Sequence, residues 1–135
     1  ATEAFTVATL LEAFMDQARP GKNDGQNSRT QLQRLAARIA VNRTVAGVHY
    51  PVDSAAGRLL GTSLAEFLVA RATGSSLRKR GFDSQRFVEP DGIPRDFRLS
   101  DPLDEGPYSV GGPAMPLPKA DTLGWLWQEA LKEWA

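Results

Sequence analysis

Arg43, His49 and Asp53 are the residues of this chain whose types and spacing best suit chemistry. His49 is the only histidine. Arg43 lies six positions before it and Asp53 four positions after it, in the stretch NRTVAGVHYPVD over 42–53. A carboxylate on one imidazole nitrogen fixes the tautomer and leaves the other nitrogen as a nucleophile or ligand. A guanidinium adds a planar fork suited to a tetrahedral or trigonal oxyanion. Free N–H groups at a helix start add partial positive charge. Together these residues read as an oxyanion-binding site with a nucleophile inside it. They also read as a helix-cap histidine bonded to an aspartate, with a surface arginine nearby.

The elements that position these residues follow from periodicity. Six residues advance about 240° around a helix axis, so Arg43 and His49 need a turn between them to meet. The turn is expected over Thr44–Val48, with Gly47 in it. Before it, a helix is predicted from Ser28, an N-cap with Gln31 three positions on, to Asn42 or Arg43. Leu32, Leu35, Ala36, Ile39 and Ala40 mark its apolar face. After the turn, a helix is predicted from Pro51, which fits a first helical turn, to about Ala72, with Gly74 just past its end. Ala55, Ala56, Gly57 and Gly61 let another helix approach closely, which places this helix at the centre of a bundle. Asp53 then stands in its first turn, and its carboxylate reaches back to His49 as a buried partner.

Residues 1–18 predict a first helix. Its stripe of Val7, Leu10, Leu11 and Phe14 is expected to face the core, and Phe5, Thr9, Glu12 and Asp16 follow another stripe. RPGKNDGQN over 19–27 reads as a loop. Seven of the nine prolines fall between Pro90 and Pro118, so 75–118 predicts an irregular arm with at most a short hairpin around EPDG. Phe82, Phe87, Phe97 and Tyr108 in that arm predict packing on the helical body. Core packing is also the first expected role of Tyr50, and lining the entrance of the site, together with the arm's aromatics, is the second. A last helix is predicted from Asp121. Its rows are Leu123, Trp127 and Leu131, then Leu126, Ala130 and Trp134. Three tryptophans there imply burial against the body or a second copy of the chain, a homo-oligomer. The expected fold is mainly α: motif-bearing helices over 1–74, the arm over 75–118 and a terminal helix over 119–135, in one domain.

Composition narrows the function classes. The 135 residues carry 16 basic and 16 acidic side chains, which gives no support for a nucleic-acid partner. There is no cysteine, so disulfides, thiolate catalysis and zinc–cysteine sites are excluded. No apolar run reaches the roughly 18 to 20 residues that span a bilayer, so a soluble chain is expected. Its compartment is left open.

The pattern R-x5-H-x3-D, here Arg43, His49 and Asp53, resembles the third signature motif of the superfamily of vanadium-dependent haloperoxidases and type 2 phosphatidic acid phosphatases. The flanking AGVHYPVD and AAG are similar to bacterial haloperoxidase-like members. Asn42 stands where the family usually has serine. The family's other two motifs, a lysine followed by Arg-Pro and a Pro-Ser-Gly-His, are not in this sequence. ATEAF resembles the helix entry that comes directly after Pro-Ser-Gly-His in such proteins, so the chain is expected to be the C-terminal part of a larger protein. The missing segment would supply further oxyanion donors and an acid–base histidine. The similarity covers about residues 1–72.

The resemblance implies a helical bundle of the haloperoxidase and acid phosphatase kind. It makes His49 the ligand of vanadate, with hydrogen peroxide and halide as substrates, or the nucleophile attacking a phosphate ester. It gives Arg43 the oxyanion and Asp53 the orientation of His49. Vanadium-dependent halide oxidation is the first expectation and a phosphohistidine acid phosphatase the second. A non-catalytic helical module is the third. The isolated chain is expected to be inactive until the missing segment completes it.

Overall fold

The computed structural model describes residues 1–20 and 24–134. Among the described residues there are four α-helices and one two-stranded sheet. In chain order these are α1 (Thr2–Ala18), α2 (Asp24–Val45), α3 (Pro51–Thr73), β1 (Ser76–Phe82), β2 (Tyr108–Pro116) and α4 (Asp121–Trp134). The protein is therefore mainly helical, as the periodicity predicts. None of these helices is long and apolar enough to cross a membrane.

α3 matches its expected ends. Pro51 opens it, and Gly74 closes it in the left-handed conformation at φ 78°, where glycine carries no Cβ penalty. α3 lies against α1 through its small residues. A Cβ on Gly61 would stand 2.9 Å from Phe5 Cβ, and one on Gly57 would stand 2.8 Å from Ala1 Cβ. Phe5, Ala8, Ala36, Ala40, Ala55 and Leu59 form the core between the three long helices.

That close approach corrects the expected orientation of α1 in part: Phe14 and Leu10 of the expected stripe turn inwards, Val7 and Leu11 do not. Phe5, Ala8 and Phe14 are buried, whereas Val7 and Leu11 are exposed. Val7 lines an outer apolar groove with Leu35 and Ile39 of α2, which are exposed as well. Glycine and alanine on α3 fit the Phe5 side of α1 closely, and tight fit decides over a simple count of apolar residues.

α2 also departs from its expected bounds. It starts at Asp24, so Ser28 stands inside the helix and not at its cap, and it ends at Val45. One glycine in a first turn costs only about 1 kcal/mol, too little to keep residues 24–27 out of a helix packed on α1. The rest of the expected loop, 21–23, lies outside the described residues.

The arm is more regular than its prolines suggest. β1 and β2 pair antiparallel from Ser76 with Pro116 to Phe82 with Tyr108, with an irregularity between Leu77 and Lys79. Both strands are edges, where proline costs no ladder bond if its nitrogen faces outwards. The small hairpin expected around EPDG is present. Val88 bridges Pro94, and Glu89 N–H donates to Ile93 C=O at 2.9 Å. Phe87, Phe97 and Tyr108 are buried, and the Phe97 ring meets Phe5 edge-on with centroids 6.1 Å apart. α4 returns to α1. Phe14 meets the rings of Trp127 and Trp134 edge-on, and Trp127 Nε1 donates to Gln17 Oε1 at 2.9 Å. Trp125 and Leu126 remain exposed.

Candidate active site

Arg43 lies in the last turn of α2, and His49 precedes α3 by two residues. The turn between them is closed by backbone bonds. Gly47 N–H donates to Thr44 C=O at 2.9 Å and Val48 N–H to Arg43 C=O at 3.1 Å. Gly47 adopts φ 74°, the left-handed region glycine enters freely. The reversal brings the two side chains together, as the spacing requires. Arg43 Nη2 stands 2.5 Å from His49 Nε2.

On the other side of the ring, His49 Nδ1 stands 3.5 Å from Asp53 Oδ2. The same carboxylate oxygen accepts from Tyr50 N–H at 3.0 Å, closing the first turn of α3. Asp53 therefore both caps the helix and faces the imidazole.

This geometry selects a tautomer. A guanidinium has only donors, so Nε2 must present its lone pair to Arg43. The ring proton then sits on Nδ1, facing a carboxylate. An imidazole in that state has a free lone pair at Nε2, aimed at the cation that would hold an anion.

The expected burial of Asp53 is not found. The Asp53 and His49 side chains are 49% and 39% exposed, because the first turn of α3 lies at one end of the helical layer. Tyr50 is not a core residue either. It is 75% exposed, since its position before Pro51 points it away from the α1 contact.

The donors present fit an oxyanion. One imidazole nitrogen with a lone pair and one guanidinium fork can take a tetrahedral or trigonal-bipyramidal anion such as vanadate or phosphate. Among the described residues, no three His, Cys, Asp or Glu side chains gather to hold a metal cation. One guanidinium does not neutralise a dianion, so a complete site needs further donors beyond these three residues.

No family model, curated protein or solved structure matches the chain. The candidate site rests on its own geometry.

Two features beside the site were not singled out in the sequence. The first is a cleft of about 680 Å³ between Thr44, the start of α3 and the arm. Its walls come from segments about forty positions apart, and no local pattern announces it. The second is a polar cluster behind the arm. Arg95 Nη2 donates to buried Asp101 at 2.7 Å, and Arg58 Nη1 donates to Asp101 C=O at 2.9 Å. Burial lowers the pKa of Arg58, with the Tyr108 and Asp101 charges opposing. Burial raises that of Tyr108, against the charge of the neighbouring Arg58 guanidinium. The only sequence signal was Arg58 itself, a charge inside an otherwise apolar helical stretch.

Proposed function

We propose that this chain carries the histidine side of a vanadate- or phosphate-binding centre, acting as a vanadium-dependent haloperoxidase-like enzyme. The observation that supports it is the relay Arg43–His49–Asp53, with Nε2 2.5 Å from the guanidinium and Nδ1 3.5 Å from the carboxylate. In this reading His49 Nε2 and Arg43 hold vanadate, and Asp53 keeps the proton on Nδ1. The vanadate, when bound, supplies activation of hydrogen peroxide for halide oxidation. Arg43 is exposed, so its side chain can swing from Nε2 to an anion's oxygens. The overall fold then belongs to the helical bundle of that superfamily. The further donors stand on the segment bearing the lysine and Pro-Ser-Gly-His motifs. An apolar groove lined by Val7, Leu35 and Ile39 runs up to Arg43, and that segment packs over it.

The same relay favours a second reading. A neutral imidazole with Nε2 free and Nδ1 on a carboxylate is also what attack on phosphorus requires. In that case the protein is an acid phosphatase and His49 becomes the phosphohistidine.

The test begins with orthovanadate titrated into the chain and followed by vanadium NMR. Binding lost in both Arg43→Ala and His49→Ala supports the centre, and binding that survives His49→Ala overturns it. Dye bromination with peroxide and bromide is then compared with phosphate release from an aryl ester, in protein that includes the segment bearing the other motifs. Bromination dependent on vanadate selects the first reading. Phosphate release inhibited by vanadate selects the second.

A further inference from the structure

A cavity of about 370 Å³ opens where the two strands meet α1 and α3. None of Arg43, His49 and Asp53 lines it, so the inference it carries does not depend on that centre. Its volume lies near the lower end of the roughly 300–1,000 Å³ of small-molecule sites.

Its positive charges come from one strand face. Alternate residues of a strand project to the same side, so Ser76, Arg78 and Arg80 of β1 share a side, and all three line the cavity. β2 bulges at this level. Gly112, Pro113 and Ala114 stand against Arg78 alone in the register, and Ala114 joins the cavity wall.

Arg80 is held in place by Glu66 of α3, which also lines the cavity. Arg80 Nε donates to Glu66 Oε2 at 3.0 Å and Arg80 Nη2 to Glu66 Oε1 at 2.6 Å. This two-pronged pair fixes the guanidinium plane and leaves Nη1 unused among the described residues. The Arg78 side chain is exposed and makes no hydrogen bond or ion pair among the described residues. Two guanidiniums against one carboxylate leave a single positive charge. A monoanion balances it, whereas a dianion keeps one charge unpaired. A guanidinium fork matches the planar geometry of a carboxylate. Ala13 of α1, Val69 of α3 and Leu77 of β1 give the cavity apolar walls.

We propose that this cavity binds a small aliphatic monocarboxylate. The carboxylate lies between Arg78 and Nη1 of Arg80, and the hydrocarbon body runs along Ala13, Val69 and Leu77. Glu66 is a positioning residue: it aims Arg80 and, by cancelling one of the two positive charges, selects a monoanion.

Calorimetric titration of the full chain with hexanoate, hexanamide, acetate and inorganic phosphate tests this. Hexanoate is expected to bind at least about tenfold more tightly than hexanamide, which has the same body without the charge. It is expected to bind more tightly than acetate by about threefold for each methylene that reaches the walls. Inorganic phosphate is expected to bind more weakly than hexanoate. Arg78→Ala removes one arm of the clamp, and Ala114→Glu adds a carboxylate to the wall. Each is expected to weaken hexanoate binding at least about tenfold. Both positions are exposed, so neither change threatens the core, and circular dichroism checks the fold. Equal affinities for hexanoate and hexanamide, or hexanoate binding that survives either substitution, overturn the site. Phosphate binding as tight as that of hexanoate overturns the choice of a monocarboxylate. Acetate binding as tight as that of hexanoate overturns the aliphatic body.

Discussion

Arg58 of α3 donates to the main-chain carbonyl of Asp101 across forty-three residues of sequence, at 2.9 Å. Asp101 in turn binds Arg95 through its carboxylate. The main chain of Asp101 thus ties the arm to the central helix, and its carboxylate braces the arm from within.

Asp101→Ala keeps the Arg58 bond to the main chain and is expected to destabilise the arm from within, since Arg95 and Asp101 both belong to it. The change leaves the Arg95 charge without its partner in a site where Asp101 is 7% exposed. Removing one member of a buried pair costs about 3 kcal/mol or more. Urea unfolding should show the loss as a lower midpoint. A variant as stable as the wild type would mean that the Arg95–Asp101 pair does not stabilise the arm.

Gly61→Ala tests the helix contact that sets the core. Its Cβ would meet Phe5 Cβ at 2.9 Å and the Thr6 backbone nitrogen at 3.0 Å, and neither is the flexible tip of a side chain. Overpacking of this kind costs about 1–3 kcal/mol, more than the helix propensity gained. A lower melting temperature is expected. An unchanged or raised one would show that α1 and α3 do not touch at this point.

The sequence announced some of these relationships and hid others for physical reasons. Pro51 and Gly74 mark the ends of α3 because their backbone chemistry is local. The meeting of Arg43 and His49 was legible because a short turn leaves few alternatives. The buried face of α1 was not, since periodicity weighs apolarity and Gly61 selects for fit. β1 was hidden in SLRKRGF, whose charges break the alternation that marks a half-buried strand. The exposure of Asp53 and Tyr50 depends on where α3 ends in the layer, and no local pattern carries that.

Glu12 gives the fold a pH dependence. Burial pushes its pKa up, against the hydrogen bond from Gln33 and the charge of Arg29. The folded protein thus holds this proton more tightly than the unfolded chain does. Between the ordinary glutamate value and the raised one, stability falls as pH rises, and it stays lower above that window. Glu12→Gln removes the charge and keeps an acceptor for Gln33 Nε2, now 3.0 Å from the carboxylate. The variant is expected to be more stable at neutral pH, with a flatter profile through the window. Melting temperatures across pH measure this, and a slope identical to the wild type's would assign the dependence elsewhere.

Asp53→Asn separates the two roles of that carboxylate. In the first turn, Asp53 accepts from Tyr50 N–H at 3.0 Å, and asparagine keeps an acceptor there but loses the charge that favours a helix N-terminus. Stability should therefore fall by no more than about 1 kcal/mol. As the partner of His49 Nδ1, the carboxylate reinforces through its charge the tautomer that the Arg43 donor selects, and an amide lacks that charge. An orienting partner of this kind is worth about tenfold or more in ligand affinity. Vanadate affinity is thus expected to fall by at least that factor while the unfolding midpoint moves little. Nitrogen NMR of the imidazole should still place the proton on Nδ1, since Arg43 offers Nε2 only donors. If affinity survives the change, Asp53 is a helix cap alone, and His49 takes its orientation from Arg43.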